Sequence, residues 1–375
     1  MSGQLDAGGG VASKGAWHVR KNRQSRRDIL KGSAALAVAA PAAFATRVLA
    51  QAPEPEAITP ALVEAARKEG KLAFYTAMDI PVAERFARAF EARYAGIVVR
   101  VERSGSERVY QRIDQERGSS IHAVDVVNSA DAAHFVVWKR NGWLAPYLPE
   151  EAAKHFPANY RDAEATHVTT RLWLCSLGYN TNLVKAEEAP KSFADLLDPK
   201  WMGRMIKAHP AYSGTIMTAT FQITRELGWE YLEKLSRQKI MQVQSSTDPP
   251  KKLALGERAV MADGNDYNLI QLKEKGAPVE VVYPTEGTPI VTGPSAVFKS
   301  APNPSAARLF YNWLHSLEAQ QLLVDFAAQH SVHAQVTEKP GRRRLADIKL
   351  MQDDPAGVEK MSETIKTRYS QIFKV

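Results

Sequence analysis

The sequence predicts an α/β protein of two lobes, each a mainly parallel sheet covered by helices, with a hinge between them. Three observations predict it. Short apolar runs of strand length alternate with segments whose apolar residues recur at helical spacing, the pattern of a sheet covered on both faces. The alternation runs through two sets, separated by the apolar stretch WLCSLGYNT at 173–181 and closed by PIVTGPSAVFK at 289–299. About 325 residues follow an N-terminal leader, roughly twice a usual domain, and 45% of the chain is hydrophobic, enough for two cores. Lobe 1 is assigned to residues 58–172 with a return through 289–335, lobe 2 to 173–288, and 336–375 to a C-terminal extension.

Each element has a local reason. Thr59 and Pro60 open a helix as N-cap and first-turn residue, Leu62, Val63 and Ala66 give it an apolar face, and Gly70 ends it. KLAFYTA at 71–77 is the first strand. Val82, Phe86, Ala89 and Phe90 share one helical face up to Gly96, and IVVRVER at 97–103 is the next strand. A helix over 107–116, the strand AVDVVNS at 123–129 and a helix over 131–140 continue the series. In lobe 2 the strand RMIKAHP at 204–210 precedes helices over 213–227 and 229–237. IMQVQSS at 240–246, a helix over 248–256, RAVMADG at 258–264 and a helix over 267–275 follow. VEVVYP at 279–284 leads through TEGTP, read as the hinge, to the return strand. Two amphipathic helices, 304–316 and 317–328, close lobe 1; beyond Pro340 the chain turns polar, and no repeat of 20 to 50 residues is present.

The leader decides the compartment. SRRDILK at 25–31 places Arg26 and Arg27 before a weakly apolar stretch, 32–45, that Pro41 interrupts; this reads as a twin-arginine export signal, cut before Gln51. The stretch is shorter than the about 20 apolar residues that span a bilayer. Residues 1–50 hold eight Lys or Arg and two Asp or Glu, leaving 41 basic and 39 acidic residues after them, a net charge of +2 rather than +8. So balanced a chain has no global attraction for nucleic acid or an anionic membrane. Cys175, the one cysteine, lies in an apolar strand and reads as core.

Several stretches resemble the periplasmic solute-binding proteins of ABC importers, in the branch that contains ferric-iron, thiamine and phosphonate or sugar-phosphate binders. They are KEGKLAFYTAMD, VDVVNSADAAHF followed by GWLAPY, LGYNTNLV, SFADLLDPKWMG, KGAPVEVVYPTEGTP and KSAPNPSAARLFYNWLHSLEAQQLL, spanning roughly residues 60–335. The resemblance implies the type II two-lobe periplasmic-binding-protein fold, a small-molecule ligand trapped by lobe closure, and an inner-membrane permease as partner. It implies a monomer in the periplasm, without a cofactor.

In open parallel sheets ligands lie beyond the carboxyl ends of the strands. Those ends supply Thr76 and Asp79 after the first strand, Ser104 and Ser106 after the second, and Ser129 and Asp131 after the third. Lobe 2 supplies Tyr212, Ser213, Gly214 and Thr215, and further on Tyr267. YSGT at 212–215 opens a long helix, whose unpaired N–H groups favour an anion. Ser213 taken alone reads as an ordinary N-cap; the position where iron binders of the resembled family hold their accompanying anion is what points to the ligand. The expected solute is a phosphate ester, phosphonate or organic acid.

Ferric iron is the alternative within the family, and Tyr267 its candidate metal ligand. The resembled iron binders use a His near the first strand, a Glu after a later one and two adjacent tyrosines. Here Thr76, Ala77 and Met78 stand where the His is expected, Ala130 at the Glu position, and Asn268 beside the single Tyr267. Thiamine is a third possibility, for which Trp173, Trp201 and Trp229 offer aromatic surface or core packing. His330 and His333 sit three apart, a spacing compatible with a metal. No nucleophile elbow, dinucleotide fingerprint or phosphate-loop lysine motif is present, and Glu107 and Glu286 read as isolated acids. The chain is therefore expected not to be an enzyme, with a periplasmic enzyme on the same fold as the other class.

Overall fold

Nine strands form one continuous sheet in the computed structural model, which describes residues 52–375. Arg26, Arg27 and the expected cut before Gln51 lie outside the described residues. The strands are β1 (Lys71–Thr76), β2 (Val98–Arg103), β3 (Val126–Asn128), β4 (Val168–Asn180), β5 (Met205–Ala208), β6 (Met241–Val243), β7 (Val260–Asn265), β8 (Val279–Val282) and β9 (Ile290–Val297). Their spatial order is β2-β1-β3-β9-β4-β7-β5-β6, with β8 also on β4.

The two lobes share the long strand β4. Its first half, Val168 to Leu174, pairs with β9; its second half, from Cys175, pairs with β7 and β8. The outer strands pair in parallel, β1 with β2 and β3, and β5 with β6 and β7. The inner pairings, β3 with β9 and β4 with β7, β8 and β9, are antiparallel. The sheet is thus mixed rather than mainly parallel, because β4 and β9 carry the chain between lobes in opposite directions.

Local chemistry sets the helices. Thr59 Oγ1 accepts the Leu62 N–H and Gly70, at φ 69°, caps the C-terminus of helix Pro60–Glu69. Helix Ile80–Arg93 turns Phe86 and Phe90 inward, where Phe90 meets Phe310 edge-on at 5.0 Å. Lobe 2 packs Leu196, Trp201, Met205, Leu232 and Val260 in its own core. Each such side chain contributes about 1.5–3 kcal/mol on burial. No helix among the described residues is long and apolar enough to cross a membrane.

The C-terminal extension is ordered. Residues 349–351 pair with Thr288 beside the crossing strands, and helix Pro355–Phe373 follows, capped by Asp354, which accepts the Gly357 N–H. Asp353 is half-buried at the crossing, where it accepts the Thr292 hydroxyl at 2.8 Å, and loss of solvent around it pushes its carboxyl up to about 6. A carboxyl raised above its unfolded value stabilises the fold fully below that value, about 3.9, and loses the contribution as pH rises through 6. Asp353→Asn should therefore gain about 1–3 kcal/mol at pH 8 and progressively less towards pH 4. Thermal melts across that range check it; an equal gain at both ends would refute the buried-charge account.

Candidate functional site

A cleft of 1040 Å³ lies between the lobes, at the carboxyl ends of the strands. Lobe 1 contributes Ala77 and Asp79 after β1, Arg103 at the end of β2, Gly105 and Ser106 at the next helix start, and Ala130 after β3. Lobe 2 contributes Tyr212, Ser213 and Thr215, then Ser245 to Thr247, then Asn265, Tyr267 and Asn268. From the shared strand β4 come Arg171 and Trp173.

Arg171 dominates the electrostatics. It is 2% exposed, and burial pulls its guanidinium down to about 10, so it stays charged at neutral pH. Its Nε donates to Asn128 Oδ1 at 2.9 Å and its plane lies over the Trp173 ring at 4.5 Å. Nη2 finds no hydrogen-bond partner among the described residues, and no carboxylate among them pairs with Arg171 within ion-pair distance. Gly293 makes the stack possible: a Cβ there would sit 2.8 Å from both Arg171 Cγ and Trp173 Cζ3. Arg103 adds a second guanidinium to the lining, its Nε donating to the Met78 carbonyl at 3.2 Å.

Around these cations the donors and acceptors form a chain. Asn265 Nδ2 donates to Tyr267 Oη at 3.1 Å and to Asn268 Oδ1 at 2.9 Å, and Asn268 Nδ2 donates across the cleft to Asp79 Oδ2 at 2.8 Å. Burial and the charge of Asp79 push the Tyr267 phenol up, against Arg171 and Arg103, so it remains a neutral donor. Trp173 Nε1 and Asn265 Oδ1 are further buried polar atoms without a partner among the described residues. The lobes also meet where the Gly214 N–H donates to Ser106 Oγ at 2.8 Å and where Arg108 Nη2 donates to Gln244 Oε1 at 3.1 Å.

Of the residues expected from sequence, Asp79, Ser106, Tyr212, Ser213, Thr215 and Tyr267 line the cleft. The other five do not. Thr76 Oγ1 turns back to accept the Met78 N–H, and the Ser104 N–H continues the sheet to the Thr76 carbonyl. Ser129 Oγ accepts the Asp131 N–H and meets His134 Nδ1 at 3.2 Å, while Asp131 accepts the Ala133 N–H. Gly214 is consumed by the lobe contact with Ser106. Ser213 caps its helix, its Oγ 3.5 Å from the Ile216 nitrogen, and still faces the cleft, so the two roles coexist. Sequence reasoning missed Arg171 and Arg103, and at the strand end that gave Tyr267 it did not single out Asn265 or Asn268 as ligand contacts; a charged residue inside an apolar strand was the available signal for Arg171.

Other expectations resolve structurally. His330 and His333 do not converge: His330 lies 3.5 Å from Asp266 and 3.7 Å from Glu338, which hold its imidazole up to about 9 despite burial. His333 instead meets Glu151 at 3.2 Å and stacks on His155. Trp201 is core of lobe 2, and Trp229 carries Arg368 on its face. Glu286 accepts the Phe193 and Ala194 N–H groups and Glu107 joins a buried charge cluster, so both acids have structural partners. Cys175 is fully buried, and burial raises its thiol well above the ordinary range.

Comparison with known proteins agrees with this architecture. The periplasmic binding protein AfuA from Actinobacillus pleuropneumoniae, solved with exogenous fructose-6-phosphate bound, superposes with a TM-score of 0.75 at 23% identity, covering 82% of this chain and 99% of that one. Iron-bound HitA from Pseudomonas aeruginosa gives 0.70 at 22% identity, over 80% and 99%. At these identities the likeness speaks for the two-lobe periplasmic-binding-protein fold. In sequence, a probable ABC transporter periplasmic-binding protein of Sinorhizobium fredii is 23% identical over 278 residues, 71% of this chain and 76% of that protein. The model of one family matches residues 71–327, which reach from β1 through both lobes to the last helix of lobe 1, and by that match the chain belongs to the bacterial extracellular solute-binding proteins.

Proposed function

We propose that this protein is the periplasmic solute-binding component of an ABC importer and that its solute carries a phosphate, phosphonate or carboxylate group. The observation that carries the anion is the buried Arg171 guanidinium, which has no carboxylate partner among the described residues and lines a cleft where Arg103 adds a second positive charge. An unpaired buried cation is costly, and an anionic ligand relieves that cost. Ser213, Thr215 and the Tyr267 hydroxyl then supply neutral hydrogen bonds, and a cleft of 1040 Å³ has room for a sugar-sized body beside the anion. Asn265 Oδ1 and Asp79 are acceptors suited to hydroxyls of that body.

Iron is less well supported. Ala77 and Ala130 line the cleft where hard ligands would be needed, and the raised Tyr267 phenol resists becoming a phenolate. Thiamine is a cation and would meet two arginines. No residue in the cleft is assigned a reaction; closure captures the solute, and a membrane permease receives it. The net charge of +2 after the leader gives nucleic acid no hold, and the protein is proposed to act as a monomer.

A thermal-shift screen of residues 51–375 with fructose-6-phosphate, inorganic phosphate, a phosphonate, citrate, thiamine and ferric iron tests the reading. Stabilisation by one of the anions supports it, and stabilisation by ferric iron or thiamine alone overturns it. Export is tested separately: with Arg26→Lys and Arg27→Lys the precursor should stay in the cytoplasm, and exported parent protein should begin at or near Gln51. Unchanged export of the double variant would leave only a general secretory route.

A further inference from the structure

The C-terminal helix touches both lobes. Its far end is fixed to lobe 2, where the Tyr369 hydroxyl lies between Lys207 Nζ at 2.7 Å and Gln242 Oε1 at 2.9 Å. Its near end packs Val358 and Ile365 against Met217 and Phe221 of lobe 2 and Ala133 of lobe 1. Two ion pairs reach lobe 1: Glu359 with Arg140 at 3.1 Å, and Lys366 with Glu107 at 3.3 Å. The second enters a buried cluster, in which His134 Nε2 lies 3.1 Å from Glu107 Oε1 and 3.7 Å from Asp131 Oδ2. Tyr110 stacks on the His134 ring at 4.5 Å, and Lys366 also meets Glu363 of its own helix at 3.0 Å.

The cluster sits directly behind the seam between the lobes. Ser106, which accepts the Gly214 N–H, immediately precedes Glu107, and Asp131 Cβ lies where a side chain on Gly214 would go. We infer that helix Pro355–Phe373 is an interlobe latch in which Lys366, carried on lobe 2, neutralises the Glu107–Asp131–His134 cluster of lobe 1 and so positions Ser106 against the start of helix Gly214–Leu227. Opening the lobes withdraws the Lys366 ammonium from Glu107, leaving two nearby carboxylates beside a single imidazole; closing restores the balance. Lys366 is a positioning residue and lies outside the cleft lining.

The test needs no solute, so a wrong anion assignment and a wrong latch give different results. Asp79 and Asn268 are joined across the cleft, and Cys175 is buried, so Asp79→Cys with Asn268→Cys gives a thiol pair that a short bifunctional reagent joins when the lobes shut. Adding Lys366→Met should slow that crosslinking about tenfold, as expected for loss of one charge-assisted contact. Lys366→Arg should retain the parent rate, and the reversed pair Lys366→Glu with Glu107→Lys should recover much of it. Melting temperatures of the variants separate loss of closure from loss of fold. No crosslinking in the parent pair, a rate unmoved by Lys366→Met, or a fall recovered by neither the arginine nor the reversed pair would overturn the latch.

Discussion

Arg171→Met is expected to lower affinity for the stabilising anion by roughly thirtyfold to several thousandfold, the range for removing one partner of a buried charge pair, about 2–5 kcal/mol. Methionine keeps an unbranched apolar stem beside Trp173, so what is lost is the guanidinium together with its stack on that ring. Arg171→Lys should recover only part of the affinity, because a point charge reproduces neither the fork nor the bond to Asn128 Oδ1. Ser213→Ala, which deletes a neutral donor at the helix start, should cost about tenfold to a hundredfold. For ferric iron the order inverts, since Tyr267→Phe would then remove a direct ligand and the visible phenolate absorption with it. Calorimetry on the four variants, with melts as a control for the Asn128 carbonyl left unpaired, gives the ranking. A parent-like constant for Arg171→Met would remove the ground for an anionic solute.

That residue shows where sequence reading reached its limit. Apolar periodicity located the strands because burial on both faces of a sheet forces apolar runs, and β4 is buried over all of its 13 residues. Arg171 lies inside that run, among Thr169, Thr170, Leu172 and Trp173, and a lone cation in a fully buried strand has few structural excuses. It was legible in principle. Thr76 and Ser129 lie off the cleft lining for the opposite reason: a small hydroxyl at a strand end can satisfy a neighbouring backbone N–H as well as a ligand, and residue type alone does not choose between them.

Strand direction was not legible either, since parallel and antiparallel buried strands share one apolar pattern. Only the double use of β4 and β9 as crossings explains the antiparallel centre. The C-terminal helix was legible and was passed over. Asp354 and Pro355 are a good N-cap and first-turn pair, and Val358, Met361, Ile365, Tyr369 and Ile372 recur at three and four residues. The polar segment before it, 341–354, hides this because it holds only one short turn of helix, Leu345–Asp347, and a stretch at 349–351 paired with Thr288, with no long element of its own.

Gly214→Ala should weaken ligand capture by about fivefold to 150-fold without destabilising lobe 2, the range for 1–3 kcal/mol of overpacking. The added methyl would lie 2.5 Å from Asp131 Cβ, 2.8 Å from Ser106 Oγ and 3.1 Å from the Ala130 carbonyl oxygen, all on the opposite lobe. None of these is the free end of a flexible chain: Asp131 is pinned by its bond to Ala133, and Ser106 by the Gly214 N–H itself. The lobes must therefore stop short of contact, which pulls the helix start, Thr215 and Tyr212 away from Arg171. Within its own helix the substitution is benign, because Gly214 is the first residue after the Ser213 cap and alanine is the better helix former. Ligand-free melting should stay level or rise slightly while affinity falls, a combination that simple misfolding does not produce. Solution scattering should show the parent compacting with ligand and the variant remaining wider. Parent-like affinity together with full compaction would mean that the cleft does not work by closing on its solute.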